Sequence, residues 1–142
     1  FDLSAACSGF VFALSVAYSY MQTGLYKNAL IVGAEVLSKI VDWTDRSTCV
    51  LFGDGAGAAF VEACEDREDR TGVISLSQGS DGAKGMVLSC GARDLVNPYA
   101  QGVEEMNKYV HMDGQEVYKF AVKQVPICIQ DALNRAGLGN PM

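Results

Sequence analysis

The chain has 142 residues, enough for one domain with a hydrophobic core, and its 49% hydrophobic and 20% charged residues are typical of a globular protein rather than a disordered one. A formal net charge of −6 disfavours nonspecific binding to nucleic acid or to an anionic membrane. The longest apolar stretch, residues 10–21, is interrupted by serine and tyrosine, which predicts a buried helix rather than a membrane span.

The start of the chain predicts a helix between two strands. Residues 1–3 are typical of the end of a strand. Residues 4–24 predict a turn and then a helix that is apolar on nearly all sides and ends at Gly24. The continuous apolar run 29–34 predicts a strand covered on both faces.

The middle of the chain predicts several short strands. Residues 47–52 and 57–63 predict two strand segments on either side of the glycine-rich turn 53–55. Residues 71–77 and 86–89 predict two more.

The remaining segments predict loops and a second helix. The charge run 62–70 predicts a solvated surface loop, and residues 95–108 predict a long irregular connection. Residues 114–136 carry one broad apolar stripe and predict a helix that Pro126 kinks and Gly137 ends. Strands and helices in this order indicate an α/β fold with helices between sheets.

The five cysteines are odd in number and scattered, without a CxxC pair or a histidine cluster. This pattern predicts neither a disulfide framework nor a metal site, and it favours a reducing compartment. No cofactor is expected. The chain begins within an apolar run and stops just after a helical pattern, so we expect an internal piece of a longer protein, with any targeting signal upstream.

The strongest chemical feature is Cys7 in the segment Ser4-Ala5-Ala6-Cys7-Ser8-Gly9. A cysteine where a strand turns into a helix faces unpaired N–H groups and the positive end of the helix dipole. That position favours the thiolate, which is the nucleophile, and the small neighbours leave room for a substrate. From the residues alone, Cys7 is equally well explained as a small buried apolar group.

Three other features are weaker candidates. Residues 53–58 (GDGAGA) match no phosphate-binding pattern, and close backbone packing explains them better than a phosphate loop. His111 is the one histidine, but it precedes a helix at an edge or loop and is a poor candidate base. Arg46 is suited to phosphate binding, or to a surface ion pair with Asp45 or Asp42.

Three motifs together resemble the β-ketoacyl-acyl-carrier-protein synthase III family of thiolase-like condensing enzymes. They are residues 1–10 around Cys7, Asp45-Arg46 followed by residues 52–58, and residues 112–119 (MDGQEVYK). Their order and spacing match across essentially the whole chain, so Cys7 is favoured as the nucleophile over the packing alternative.

The resemblance implies an α/β fold with the thiolase-like αβαβα layers, of which only the middle part is present. Residues 1–108 would be the rest of the N-terminal half, and residues 109–142 the start of the C-terminal half. It also implies a homodimer in the cytoplasm, or in the plastid stroma where a transit peptide precedes the chain.

The implied reaction initiates fatty-acid synthesis in two steps. Cys7 takes the acyl group from an acyl-coenzyme A, and malonyl-acyl-carrier-protein is then decarboxylated so that its carbanion attacks the thioester. A thiolate suits the first step, and the Cys7 amide would be one donor to the thioester oxyanion.

By position, further residues resemble binding residues of the family. The resemblance assigns Arg46 to the adenine-nucleotide end of coenzyme A, and Leu37 and Phe52 to the acyl pocket. It assigns Lys119 to docking of the acidic carrier protein. It also implies a pantetheine tunnel lined by Met112, Gly114 and Tyr118, the last at a position where an aromatic residue is expected.

The chain stops before the positions where the family carries its catalytic histidine and asparagine. We therefore expect that this piece alone does not complete condensation. The tryptophan that stacks on adenine also lies elsewhere in the family, so Trp43 is not its counterpart.

Several alternatives remain open. Within the same fold they are an elongating synthase, a plant-type polyketide synthase, a hydroxymethylglutaryl-coenzyme A synthase, or a starter enzyme of a specialised pathway. The sequence around Cys7 together with Asp45-Arg46 and residues 53–58 favours the initiating class. Outside catalysis, the chain could be a scaffold that only holds an acyl-carrier protein, which has no need of a reactive thiol.

Overall fold

The computed structural model describes residues 1–64, 71–91, 99 and 108–139, within two compact units. The first unit comprises Phe1–Ala34, Ala56–Gly79 and Gln124–Met142, and the second comprises Glu35–Gly55 and Ser80–Lys123. In chain order, the helices and strands of the described residues are α1 (Gly9–Gln22), β1 (Asn28–Val36), β2 (Asp54–Glu62), β3 (Leu88–Cys90), β4 (Val110–Met112) and α2 (Gly114–Arg135).

Helix α1 confirms the first predicted helix and is preceded by a short 3-10 turn, Ala6–Ser8. Its last turn closes with two backbone bonds, from Gly24 N to Met21 O at 3.0 Å and from Leu25 N to Tyr20 O at 2.9 Å. Gly24 has a φ of 73°, a conformation that glycine adopts without strain. The predicted stop at Gly24 is therefore confirmed.

Strands β1 and β2 form a two-stranded sheet. Ala63 N donates to Lys27 O beyond one end, and Ser38 N donates to Asp54 Oδ1 beyond the other, so the strands run antiparallel. The predicted strand 29–34 is confirmed and is longer than expected. The prediction that both its faces are covered is wrong for the described residues, because Leu30 and Val32 are 66% and 60% exposed.

The second unit contains an antiparallel pair, β3 and β4, in which Ser89 faces His111. The amide of Val110 donates to Ile40 O at 2.8 Å, which joins β4 to the segment that follows β1. Val41, Thr48 and Val110 are buried and form the interior of this unit. The predicted strand 86–89 is confirmed in part, since β3 starts at Leu88 after a 3-10 segment, Gly82–Val87.

Helix α2 confirms the predicted helix 114–136. It begins at an N-cap, where Asp113 Oδ1 accepts from the amides of Gln115 and Glu116, both at 3.1 Å. Pro126 lies inside the continuous helix, and Gly137 follows its end with a φ of 70°.

Three predicted strands do not form. Residues 1–3 pair with no strand among the described residues, and residues 47–52 are successive turns in which the amides of Thr48 and Cys49 donate to Asp45 O. Residues 71–77 form hydrogen bonds to helix α2 instead. Ser75 Oγ donates to Ala132 O and Ser77 Oγ donates to Asp131 Oδ2, both at 2.7 Å.

Two further differences concern the loops. The predicted turn 53–55 lies partly inside β2, which starts at Asp54. Most of the predicted loop 62–70 and of the connection 95–108 lies outside the described residues.

Candidate active site

Cys7 lies in the 3-10 turn that leads into α1, and its thiol is exposed. No side chain caps this turn or the start of α1. The backbone bond from Ser8 N to Ala5 O, 3.2 Å, closes the turn after Cys7. An uncapped helix start beside an accessible thiol attracts negative charge, as a thiolate or a thioester oxyanion requires.

The residue before Cys7 has an unusual backbone. Ala6 adopts a φ of 46°, in the left-handed region that residues with a Cβ rarely visit. Such a conformation costs on the order of 1–3 kcal/mol and persists only where the surroundings enforce it. The strain therefore lies directly beside the candidate nucleophile.

Helix α1 approaches strand β1 closely just after Cys7. A Cβ added at Gly33 would lie 3.3 Å from Phe10 Cδ2, which is tighter than ordinary contact. Glycine at this strand position thus lets the Phe10 ring pack against the backbone of β1. Phe10 lies in the first turn of α1, which directly follows the 3-10 turn of Cys7.

Arg46, the candidate for the nucleotide end of coenzyme A, is exposed in the turn region after β1. The predicted alternative, an ion pair with Asp42 or Asp45, does not form within the described part of the chain. The Asp42 carboxylate accepts from Thr44 N and Oγ1, and that of Asp45 from Ser47 and Thr48. These hydrogen bonds, from Thr44 and from Ser47 first, hold the pKa of each aspartate below its usual value.

The three candidates for the pantetheine tunnel lie at the junction of β4 and α2. Met112 ends β4 and is half-buried, and Gly114 begins α2. A Cβ at Gly114 would lie 3.8 Å from the Met112 methyl carbon, so the two residues are in contact range. Tyr118 is exposed one turn further along α2.

The two acyl-pocket candidates lie on segments joined by one carboxylate. Leu37 begins the 3-10 turn Leu37–Lys39, Phe52 immediately precedes Gly53 before β2, and both are half-buried. The Asp54 carboxylate accepts from Ser38 N at 2.8 Å and from Ser38 Oγ at 2.7 Å. The backbone bond from Ser38 and then its hydroxyl hold the pKa of Asp54 below its usual value. Ser38 carries no signal in the sequence, and Asp54 stands out there only as part of the glycine-rich segment 53–58.

Lys119, the candidate for carrier-protein docking, belongs to a cluster of three charges. Glu116 Oε1 accepts from Lys119 Nζ at 2.8 Å, and Glu116 Oε2 accepts from Lys84 Nζ at 2.6 Å. The two lysines lower the pKa of Glu116 from 4.5 to about 2, Lys119 contributing most. The pairing also raises the pKa of Lys119, so its charge is retained.

The Lys84–Glu116–Lys119 cluster predicts a pH-dependent contribution to stability. Because the folded pKa of Glu116 is depressed, its contribution is present above about pH 4.5 and is lost as the pH falls through about 2. Urea unfolding of the full-length protein and its Glu116→Gln variant should differ most above pH 4.5 and converge near pH 2. The difference should shrink in high salt, since the groups are exposed. A difference that persists in acid and in salt would contradict this assignment.

The weaker candidates gain little from the structure. His111 is exposed on β4 and faces Ser89. Asp45 lies close enough to His111 for an electrostatic interaction. Gly55 and Gly57 lie within strand β2 and not at a helix start, so the phosphate-loop explanation of residues 53–58 is not supported.

Within the described residues, no group of three or more His, Cys, Asp or Glu side chains is placed to hold a metal ion. No described helix is long and apolar enough to cross a membrane. Among the described residues, Cys7, Cys49, Cys90 and Cys128 are free thiols.

The second unit thus gathers seven of the eight predicted site residues, and Cys7 lies in the first unit. The seven are Leu37, Arg46, Phe52, Met112, Gly114, Tyr118 and Lys119. A Cβ at Gly114 would lie within contact range of Met112, and the Ser38–Asp54 hydrogen bonds link the segment of Leu37 with that of Phe52.

A sequence model of the 3-oxoacyl-[acyl-carrier-protein (ACP)] synthase III family matches residues 1–93. The β-ketoacyl-[acyl-carrier-protein] synthase III of Clostridium acetobutylicum is 46% identical over 138 residues, covering 97% of this chain and 41% of that protein. These matches place the chain among the relatives of condensing enzymes. The chain belongs to the 3-oxoacyl-[acyl-carrier-protein] synthase III family.

Solved structures agree with this membership. The 3-oxoacyl-[acyl-carrier-protein] synthase III from Aquifex aeolicus superposes with a TM-score of 0.81 at 39% identity, covering 97% of this chain and 39% of that one. The priming β-ketosynthase from the R1128 polyketide biosynthetic pathway gives 0.78 at 34% identity, covering 97% and 40%. The predicted α/β thiolase-like fold is confirmed, and the chain spans about two fifths of the length of these relatives.

Proposed function

We propose that this chain is part of a longer condensing enzyme that joins an acyl group from acyl-coenzyme A to malonyl-acyl-carrier-protein, initiating fatty-acid synthesis. The observation that carries this proposal is the exposed Cys7 thiol at the uncapped start of α1 in a chain of this family. Acetyl-coenzyme A is the proposed first donor.

The proposed chemistry starts at Cys7. Its thiolate attacks the thioester carbonyl of the acyl-coenzyme A, and the coenzyme A thiolate leaves and takes up a proton. Amides at the start of α1, including that of Cys7, are suited to stabilise the tetrahedral oxyanion. Malonyl-acyl-carrier-protein then loses carbon dioxide, and its carbanion attacks the acyl-cysteine to release the β-ketoacyl product and the free thiol. The histidine and asparagine for that step would come from outside this chain.

The second unit would bind the donor. The exposed Arg46 guanidinium has no carboxylate partner in the described part of the chain, which suits it to bind coenzyme A phosphates. We assign the pantetheine arm to Met112, Gly114 and Tyr118. Leu37 and Phe52, both half-buried, would contact the acyl group.

The partners and location follow the same proposal. Lys119 would attract the acidic carrier protein through a charge that the paired Glu116 holds in place. We propose that the protein is a homodimer. We also propose that residues 109–142 begin the C-terminal half of the fold in each subunit. The five scattered cysteines, whose number is odd, favour a reducing compartment, the cytoplasm or the plastid stroma.

Mass spectrometry of the full-length protein after incubation with acetyl-coenzyme A alone tests the proposal. We expect an added acetyl group on the peptide that carries Cys7, with release of one free coenzyme A thiol per acetyl group. An adduct with longer or branched donors instead would keep the mechanism and change the donor. No adduct with any acyl-coenzyme A would refute the proposed transferase step.

A second candidate is a starter condensing enzyme of a specialised pathway. The likeness to the priming β-ketosynthase of a polyketide pathway, at 34% identity, favours it. The two candidates share the acyl-Cys7 intermediate, so the donor that acylates fastest discriminates them. A clear preference for longer or branched acyl groups would support the specialised pathway.

A further inference from the structure

The Ser38–Asp54 pair stands apart from the other aspartate hydrogen bonds of the second unit. Asp42 and Asp45 accept from residues two or three positions later in the chain, so each stabilises only its own turn. Asp54 instead accepts from a residue sixteen positions earlier and receives both a backbone and a side-chain donor. It therefore extends the pairing of β1 with β2 to the 3-10 turn Leu37–Lys39, which follows β1.

The two segments that this pair links carry the acyl-pocket candidates. Ser38 N–H belongs to the peptide unit that links it to Leu37, so its bond to Asp54 orients the Leu37 backbone directly. Phe52 lies two residues before Asp54, and its own amide donates to Thr48 O at 3.2 Å. The amides of Ile40 and Val41 both donate to Leu37 O, the carbonyl of that same peptide unit. Moving Asp54 relative to Ser38 therefore changes the spacing of Leu37 and Phe52.

We propose that Ser38 and Asp54 are positioning residues that set the width of the acyl pocket and so determine which acyl group the enzyme accepts. This inference rests on the proposed function, because it requires Leu37 and Phe52 to contact the acyl group. An ionised carboxylate bonded to two donors on one residue holds that residue in one orientation, which a single neutral bond does not. Weakening the pair loosens the pocket, and a loosened pocket admits larger acyl groups.

The test measures donor selectivity in the full-length protein. Cys7 acylation rates are measured with acetyl-coenzyme A and with isobutyryl-coenzyme A, and their ratio is compared between variants. Asp54→Asn removes the charge, and Ser38→Ala removes the hydroxyl donor. Each should shift the ratio towards the branched donor by about three- to tenfold, the effect of losing one hydrogen bond. The double variant should shift it no further than the stronger single change, since both act on one pair.

Two variants serve as matched controls. Asp42→Asn removes an aspartate of the same bonding type that joins no second segment, and its ratio should stay that of the parent protein. Ser38→Thr keeps both donors and should preserve the ratio. Where Asp54→Asn does not fold, Ser38→Ala alone decides, because it removes only one hydroxyl.

The outcomes separate this inference from the proposed function. An unchanged ratio in Asp54→Asn or in Ser38→Ala, with both donors still accepted, overturns the positioning role and leaves the transferase proposal standing. An equal shift in Asp42→Asn overturns it as well. Failure of the parent protein to form any acyl-Cys7 overturns the proposed function and the inference together.

Discussion

Replacing Cys7 by alanine in the full-length protein is expected to abolish acyl uptake from acyl-coenzyme A. The thiolate is the group that bonds the acyl carbon, and losing a covalent nucleophile lowers the rate by on the order of a thousandfold or more. Stability should change by less than about 0.5 kcal/mol, because Cys7 is exposed and its side chain is small. Coenzyme A release measures the rate of acyl transfer, intact mass measures acyl uptake, and urea unfolding measures stability.

A second thiol provides the matched control. Cys90 is also exposed, at the end of β3, and its Cys90→Ala variant should be acylated like the parent protein. Acylation that survives in Cys7→Ala but falls in Cys90→Ala would move the nucleophile to β3. A large loss of stability in Cys7→Ala with acyl transfer retained would identify Cys7 as a structural residue.

The sequence was a good guide where an element is specified by its own residues. Both helices follow from apolar periodicity and glycine stops, and Gly24 and Gly137 do adopt the positive φ that such stops use. Strand β1 follows from its apolar run. The strand predicted over residues 47–52 does not form, because the carbonyl and carboxylate of Asp45 accept hydrogen bonds that hold successive turns there. β-propensity does not reveal this local competition.

Burial was the property that the sequence predicted least well. Apolar faces of β1 and α1 predict covered elements, yet Leu30 and Val32 are exposed and Ala17 is the only buried residue of α1. Apolar patches of this kind mark surfaces that other parts of a protein cover. The chain spans about two fifths of its relatives' length, and the described residues leave these side chains exposed.

In the candidate site, too, the sequence indicated residues that have a local signal and missed contacts between remote segments. Cys7 became a candidate through its position just before a predicted helix, and the resemblance supplied the candidates for coenzyme A binding. The Ser38–Asp54 pair could not be found, because serine and aspartate sixteen positions apart carry no local signal. The charges around Lys119 were also missed, since Lys84 lies in the 3-10 segment Gly82–Val87, 32 positions before Glu116. Contacts between remote segments depend on tertiary structure, which residue patterns do not encode directly.

Substituting Gly33 by alanine should disturb helix α1, which directly follows the 3-10 turn of Cys7. The new Cβ would lie 3.3 Å from Phe10 Cδ2, so the ring or the helix must move. Overpacking costs about 1–3 kcal/mol, while removing a glycine returns about 0.4–1 kcal/mol through the unfolded chain. We therefore expect a net loss of about 1 kcal/mol in urea unfolding, together with slower acylation of Cys7.

The reciprocal change at Phe10 makes this prediction specific. Phe10→Leu replaces the ring that the new methyl group meets, so Gly33→Ala should cost less in the Phe10→Leu background, with a coupling of about 0.5 kcal/mol or more. Gly57→Ala is the control, since a Cβ there meets no described atom within 4 Å. Purely additive effects would show that the ring does not transmit the strain. If the two substitutions are coupled in stability but the acylation rate does not change, the contact between Phe10 and Gly33 affects folding only. The turn at Ala6 would then be what positions Cys7.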